Sequence, residues 1–266
     1  MSQVDKRIIF AVAALLMVFS AMTSSAAVTA DEGGCDVAAD VALGLGDYST
    51  AIELHSRLLL SEGNNVRAHY HLGFAYGMMG RTAEEISEYR AAIGLGLKNW
   101  DLFLNLGLAY FDRHELENAT AAFETAVALG PQHAETHFNL AVVYERENRL
   151  HEALREIVVS LSLAPENLDA ANTDAIICAK MGNIVFARNI WTLLVQAAPD
   201  YAPARTNLAI LNRWCDFRSV MEKHHGDRAA SFFPTVPPRS RKCAALAWRR
   251  RDKSTAQELR RAAVSG

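Results

Sequence analysis

Proline and cysteine are both scarce, at 7 and 4 in 266 residues. With half the residues hydrophobic, so little proline excludes a chain that is disordered throughout. No two cysteines stand at a CxxC spacing, so Cys35, Cys178, Cys215 and Cys243 make no zinc-finger ligand set. No strand-like run leads into Gly94-Leu95-Gly96, so a phosphate-cradling loop is not indicated. No Ser–His–Asp or Cys–His set can be drawn at a motif spacing, and nothing argues for an enzyme. A strong net charge is also missing. The formal −3 is nevertheless uneven: residues 214–266 hold 12 Lys and Arg against 5 Asp and Glu, and residues 36–213 carry an acidic excess of 9. An acidic body with a basic tail follows.

The N-terminus reads MSQVDKRIIFAVAALLMVFSAMTSSAAVTA. Lys6 and Arg7 precede an apolar run from Ile8 to Phe19, and small residues follow. That order predicts, over residues 1–30, a secretory signal peptide cut after Ala26 or Ala30, or an uncleaved N-terminal anchor. Both place the remainder outside the cytoplasm, in the periplasm or cell envelope. In an oxidising compartment the four thiols are free to pair, in three ways among which sequence does not choose.

What is abundant is repetition. FLNLGLAYFDRHELENATAAFETAVALGP, from Phe103 to Pro131, is echoed 34 residues on by HFNLAVVYERENRLHEALREIVVSLSLAP, from His137 to Pro165. A grid of that period has blocks beginning at Glu32, Val66, Trp100, Ala134, Leu168 and Ala202. The Trp100 block carries Phe103, Leu106, Gly107, Tyr110, Ala119, Phe123 and Pro131; the Ala134 block carries His137, Leu140, Ala141, Tyr144, Ala153, Ile157 and Pro165. Phe103, Leu106 and Tyr110 share one helical face, and Ala119, Phe123 and Ala126 share another. Gly107 and Ala119 are small enough to let those two helices approach closely. The polar stretch Asp112 to Glu115 suits a tight antiparallel connection, and Pro131 forbids continuation of the second helix.

These spacings resemble the tetratricopeptide repeat, W-x2-L-G-x2-Y, then A-x3-F, then P, with Phe103 standing at the Trp position. The resemblance implies an all-α, right-handed superhelical solenoid of antiparallel helix pairs over residues 32–213, with about five repeats and a capping helix from Ala202 to Arg213. Residues 214–266 fall off the grid as a basic, non-repeat tail. Such arrays are mostly protein–protein interaction scaffolds, so the expected partner is a protein or peptide.

Where that partner would sit follows from the face left over. On the first helix of each unit, block positions 2, 5, 9 and 12 point away from the seam and, in this family, line a concave groove. Positions 5, 9 and 12, with the asparagines beside them at position 6, supply Tyr70, Phe74, Leu104, Asn105, Leu108, Phe111, Phe138, Asn139, Val142, Ile176 and Asn207. A helix apolar on both sides needs a reason, and an apolar stripe left open marks a binding surface. The asparagines can bond a peptide backbone in two directions, and Arg67, Asp101, Glu135 and Asp169 would ring the groove. The competing reading packs these side chains on neighbouring repeats and uses the asparagines as fasteners between helices. If the chain is bacterial, it resembles helper proteins of pilus assembly, secretion and outer-membrane biogenesis. The alternative role is an accessory subunit of an envelope enzyme complex, in glycan or cytochrome maturation.

No cofactor or metal is expected. His133 and His137 stand four apart but lack a third ligand and fall on different parts of the repeat. The tail, after the proline-rich SFFPTVPPRSR, places Trp248 beside Arg249, Arg250 and Arg251. That suits an anionic membrane surface, as the leader does in its own way, and nucleic acid is not an expected partner of an exported chain.

Overall fold

The computed structural model describes residues 36–225, with side chains through Asp216. The leader, Cys35, Cys243, the proline-rich stretch and Trp248 with its arginines lie outside the described residues. Within them there are eleven α-helices and no strand. They are α1 (Val37–Gly44), α2 (Tyr48–Ser61), α3 (Val66–Met78), α4 (Thr82–Gly94), α5 (Trp100–Asp112) and α6 (Leu116–Leu129), then α7 (Ala134–Arg146), α8 (Leu150–Leu163), α9 (Leu168–Lys180), α10 (Ile184–Ala197) and α11 (Ala202–His225).

The 34-residue grid is written into these boundaries. Val66, Trp100, Ala134, Leu168 and Ala202 each open a helix. So do Tyr48, Thr82, Leu116, Leu150 and Ile184, again 34 apart. The caps keep the same time. Asn65, Asn99 and Asn167 accept from the backbone N–H three residues on, at 3.0, 3.3 and 3.0 Å, which satisfies one of the donors that a helix start leaves open. Between the two helices of each pair the chain turns through one left-handed residue: Gly46, Gly80, His114, Asn148 and Gly182, all with φ between 59° and 82°.

The chain divides into two compact units, with the boundary after Leu129. In the first, α1 to α6 each pack on the next, and α1 also touches α3 as α3 touches α5. Its core is a cluster of Tyr70, Ile86, Tyr89, Ala92, Leu102, Leu106, Ala109 and Ala122, with Phe103 and Tyr110 packed against it. The close approach expected at Gly107 is there. A Cβ on Gly107 would meet the Phe123 ring at 2.6 Å, and one on Gly73 would meet the Tyr89 ring at 2.6 Å. In the second unit α7 to α11 pack in the same serial way. Ala175, Cys178, Ala187, Trp191, Leu194, Ala204 and Leu211 lie in its core.

Two features add to or depart from the sequence reading. The capping helix does not stop at Arg213: α11 runs 24 residues to His225, crossing the boundary set for the tail. No glycine or proline interrupts residues 204–225, so nothing there ends the helix. The second feature concerns thiols. Cys178 is buried and Cys215 partly buried, and no disulfide joins the two. Asp174, where other repeats carry Leu72, Leu106, Leu140 and Leu208, is buried in α9 and accepts a hydrogen bond from the Cys178 thiol at 3.6 Å.

Candidate functional site

Eleven side chains were expected to line one surface, and the structure sorts them into three kinds. Tyr70, Phe74 and Leu104 are buried, at 8 %, 4 % and 5 % exposure. The Tyr70 hydroxyl donates to Asp101 Oδ2 at 2.6 Å, and its ring leans on that of Tyr89 with centroids 6.0 Å apart. Burial, with the Asp101 carboxylate beside it, pushes the Tyr70 phenol well above its ordinary range. Phe74 packs edge-on against Tyr48, with centroids at 6.5 Å. In the first unit, therefore, these three positions of the expected face are covered by the chain itself.

The asparagines are the second kind. Asn207 Nδ2 donates to Asn172 Oδ1 at 3.0 Å, and Trp191 Nε1 donates to the same oxygen at 2.9 Å. One buried amide thus ties α9 to both α10 and α11. Asn139 Nδ2 donates to the Glu135 carbonyl one turn back, at 2.9 Å, and Asn105 hydrogen-bonds Tyr70. These contacts favour the fastening role over the peptide-bonding one. The residues expected to ring the groove behave likewise: Asp101 holds Tyr70, and Asp169 accepts from the Tyr201 hydroxyl at 2.5 Å.

The third kind is neither core nor open surface. Leu108 and Phe111 on α5 are half-buried, as are Phe138 and Val142 on α7 and Ile176 on α9. Ile176 leans on the core of the second unit. Leu108 and Phe111, three apart on one helix, and Phe138 and Val142, four apart on another, are paired along their helices. Each pair belongs to its own unit.

The two histidines weighed as metal ligands have other employment. His137 is buried, with Nδ1 2.7 Å from Glu156 Oε2 and Nε2 2.9 Å from the Pro131 carbonyl. Sixty-eight residues earlier, His69 repeats the pattern on Glu88 at 2.6 Å and the Gly63 carbonyl at 3.2 Å. Both stand where the repeat has its Trp or Phe, and a matched polar pair replaces the apolar contact. His133 is the N-cap residue of α7.

Sequence reasoning missed two groups. Val37, Val41 and Leu45 form an exposed apolar stripe along α1, at 73 %, 55 % and 80 % exposure, which their i, i+4, i+8 spacing announces. Asp40, His55 and His71 come together from three helices, and no local spacing in the sequence joins them.

A tetratricopeptide-repeat family model matches residues 37–98 and 104–165. Over those residues the chain carries tetratricopeptide repeats. Several solved structures are similar to it. One is YrrB, described as a TPR protein with an unusual peptide-binding site, at 21% identity over 64% of this chain and 87% of that one, TM-score 0.60. Another is MamA, at 22% identity over 62% and 95%, TM-score 0.57. A third is MamA from residue 41 to its end from Desulfovibrio magneticus RS-1, at 16% identity over 60% and 90%, TM-score 0.57. At such identities the likeness speaks for the fold alone. No curated protein matches the sequence.

Proposed function

We propose that this tetratricopeptide-repeat chain is a non-catalytic scaffold that holds another protein of the cell envelope through apolar side chains on the first helices of its repeats. The observation that carries this is the half-buried set Leu108 and Phe111 in one unit, and Phe138 and Val142 in the other. Each is an apolar pair spaced to meet a helical or extended segment of a partner. The peptide-binding site named for YrrB supports the same class of work. Tyr70, Phe74 and Leu104 act beneath this surface as its support.

Export rests on the leader's basic start and apolar run. Among the described residues no helix is long and apolar enough to cross a membrane. Membrane contact therefore belongs, in this proposal, to the leader or to the basic tail.

The test is capture of partners from an envelope extract by the full chain, comparing wild type with Leu108→Glu plus Phe111→Glu and with Phe138→Glu plus Val142→Glu. At least one double variant loses a partner that wild type retains, while its helical circular dichroism is unchanged. Unchanged capture by both overturns the proposal.

A further inference from the structure

The first repeat departs from the later ones at two positions and the second repeat at one, and the three differences meet. His55 on α2 occupies the seam position that Tyr89, Phe123, Ile157 and Trp191 fill in the later repeats. His71 on α3 stands where later first helices have Asn105, Asn139, Thr173 and Asn207. Asp40 on α1 stands where they have Phe74, Leu108, Val142 and Ile176. At each position a residue that can bind a metal replaces one that packs or fastens. The fold then draws the three together: one ligand atom from each lies within 4.8 Å of the other two.

We infer that Asp40, His55 and His71 form a binding site for a zinc-class divalent cation, held by two imidazoles and one carboxylate with a further coordination position left open.

The geometry and the unmet hydrogen-bonding needs both point this way. His55 is 1 % exposed, yet neither of its ring nitrogens makes a hydrogen bond. A buried polar group left so is costly and calls for an explanation. Nε2 of His55 is 3.7 Å from Asp40 Oδ1, too long for a hydrogen bond. His71 Nδ1 is 2.9 Å from the same oxygen but off the hydrogen-bonding direction. One ligand atom from each residue thus lies around a common point. Around a tetrahedral zinc, ligand atoms about 2.0–2.1 Å from the ion stand roughly 3.3 Å apart, and the 2.9 and 3.7 Å separations bracket that value. The two rings pack edge-on, with centroids 5.0 Å apart. That contact accounts for the rings but leaves the nitrogens of His55 unmatched.

The donor set is that of a borderline cation: imidazole suits zinc, copper, nickel and iron, whereas magnesium and calcium take oxygen. Burial, with His71 beside it, lowers the His55 pKa to about 4, so the ring is neutral at pH 7 and ready to ligate. The Asp40 side chain is 33% exposed and that of His71 18%, which gives an ion a way in. His69 and His137 mark the contrast, since both of their ring nitrogens are already engaged by a carboxylate and a carbonyl.

The test is titration of the full chain, stripped with chelator, with Zn²⁺ alone by calorimetry, and with Co²⁺ alone by absorption. One ion is expected at this site, with the visible bands of a four- or five-coordinate cobalt centre and a raised melting temperature. His71→Ala and Asp40→Asn, both at partly exposed positions, each weaken it by more than the about 10–100-fold typical of a supporting partner. His69→Gln and His137→Gln leave it unchanged. Absence of one-to-one binding at micromolar metal overturns the inference. So does binding that survives both His71→Ala and Asp40→Asn but disappears when His224 and His225 are replaced.

Discussion

Gly107 and Phe123 show at the scale of one residue how the seam between paired helices is set. The Phe123 ring is 1 % exposed and lies where a Cβ of residue 107 would be; Gly73 and Tyr89 repeat the arrangement. Gly107→Ala and Gly73→Ala therefore each cost about 1–3 kcal/mol of stability through overpacking. Gly94, by contrast, has nothing within 4 Å of its missing Cβ, and Gly94→Ala is neutral or stabilises by up to about 1 kcal/mol. Denaturant titration of the three variants checks both signs. Tyr89 carries a second expectation. Burial holds its phenol well above the ordinary 10.0, so above pH 10 the folded chain keeps a proton that the unfolded chain releases. Stability from this group is complete below pH 10 and falls as pH rises past it. Tyr89→Phe should flatten the alkaline part of a plot of melting temperature against pH. An unaltered slope would remove Tyr89 from the account. A third expectation attaches to His137: Glu156→Ala leaves a buried ring nitrogen unmatched and costs about 1–3 kcal/mol. Glu88→Ala costs less, because His69 is more exposed than His137, at 16% against 7%.

Elements repeat more faithfully than residues do. The left-handed position between paired helices is Gly46, Gly80 and Gly182 in three repeats, but His114 and Asn148 in the other two. Asparagine tolerates that conformation through its short polar side chain, whereas histidine meets a steric cost there. His114→Gly is expected to stabilise the first unit by about 1 kcal/mol, and His114→Val to destabilise it; thermal unfolding of both variants measures the difference. Much of this layer was legible in the sequence. Two nearly matching blocks fixed the period, and the period put Val66, Trp100, Ala134 and Leu168 at helix starts to the residue. The end of α11 was not legible, because a grid marks where a repeat should turn and says nothing of a helix that fails to turn. Nor was the burial of Tyr70, Phe74 and Leu104. Helical periodicity gives the direction in which a side chain points, but a stacked repeat covers both sides of its first helix, and only the partner across the gap decides which position stays open. Tyr70 is the clearest case, since its apolar ring argued for a groove while its hydroxyl was reserved for Asp101, 31 residues away.

At the scale of the whole molecule, the proposed scaffold role depends on apolar surface that folding leaves unfinished. Residues 36–213 carry an acidic excess of 9. A partner with apolar anchors and a basic rim would meet the repeats on favourable terms. The Asp40, His55 and His71 cluster was invisible to sequence reading because its members stand 15 and 16 residues apart on three helices; it stands out when the first two repeats are compared with the later ones. The measurement that bears most directly on the scaffold role is site-specific photo-crosslinking in the living cell, with the reactive group placed in turn at Phe111, at Phe138 and at exposed Ser87 on α4. A discrete adduct with a second polypeptide at Phe111 or Phe138, and none at Ser87, is the expected result; no adduct at either phenylalanine, or the same adduct at Ser87, would contradict it.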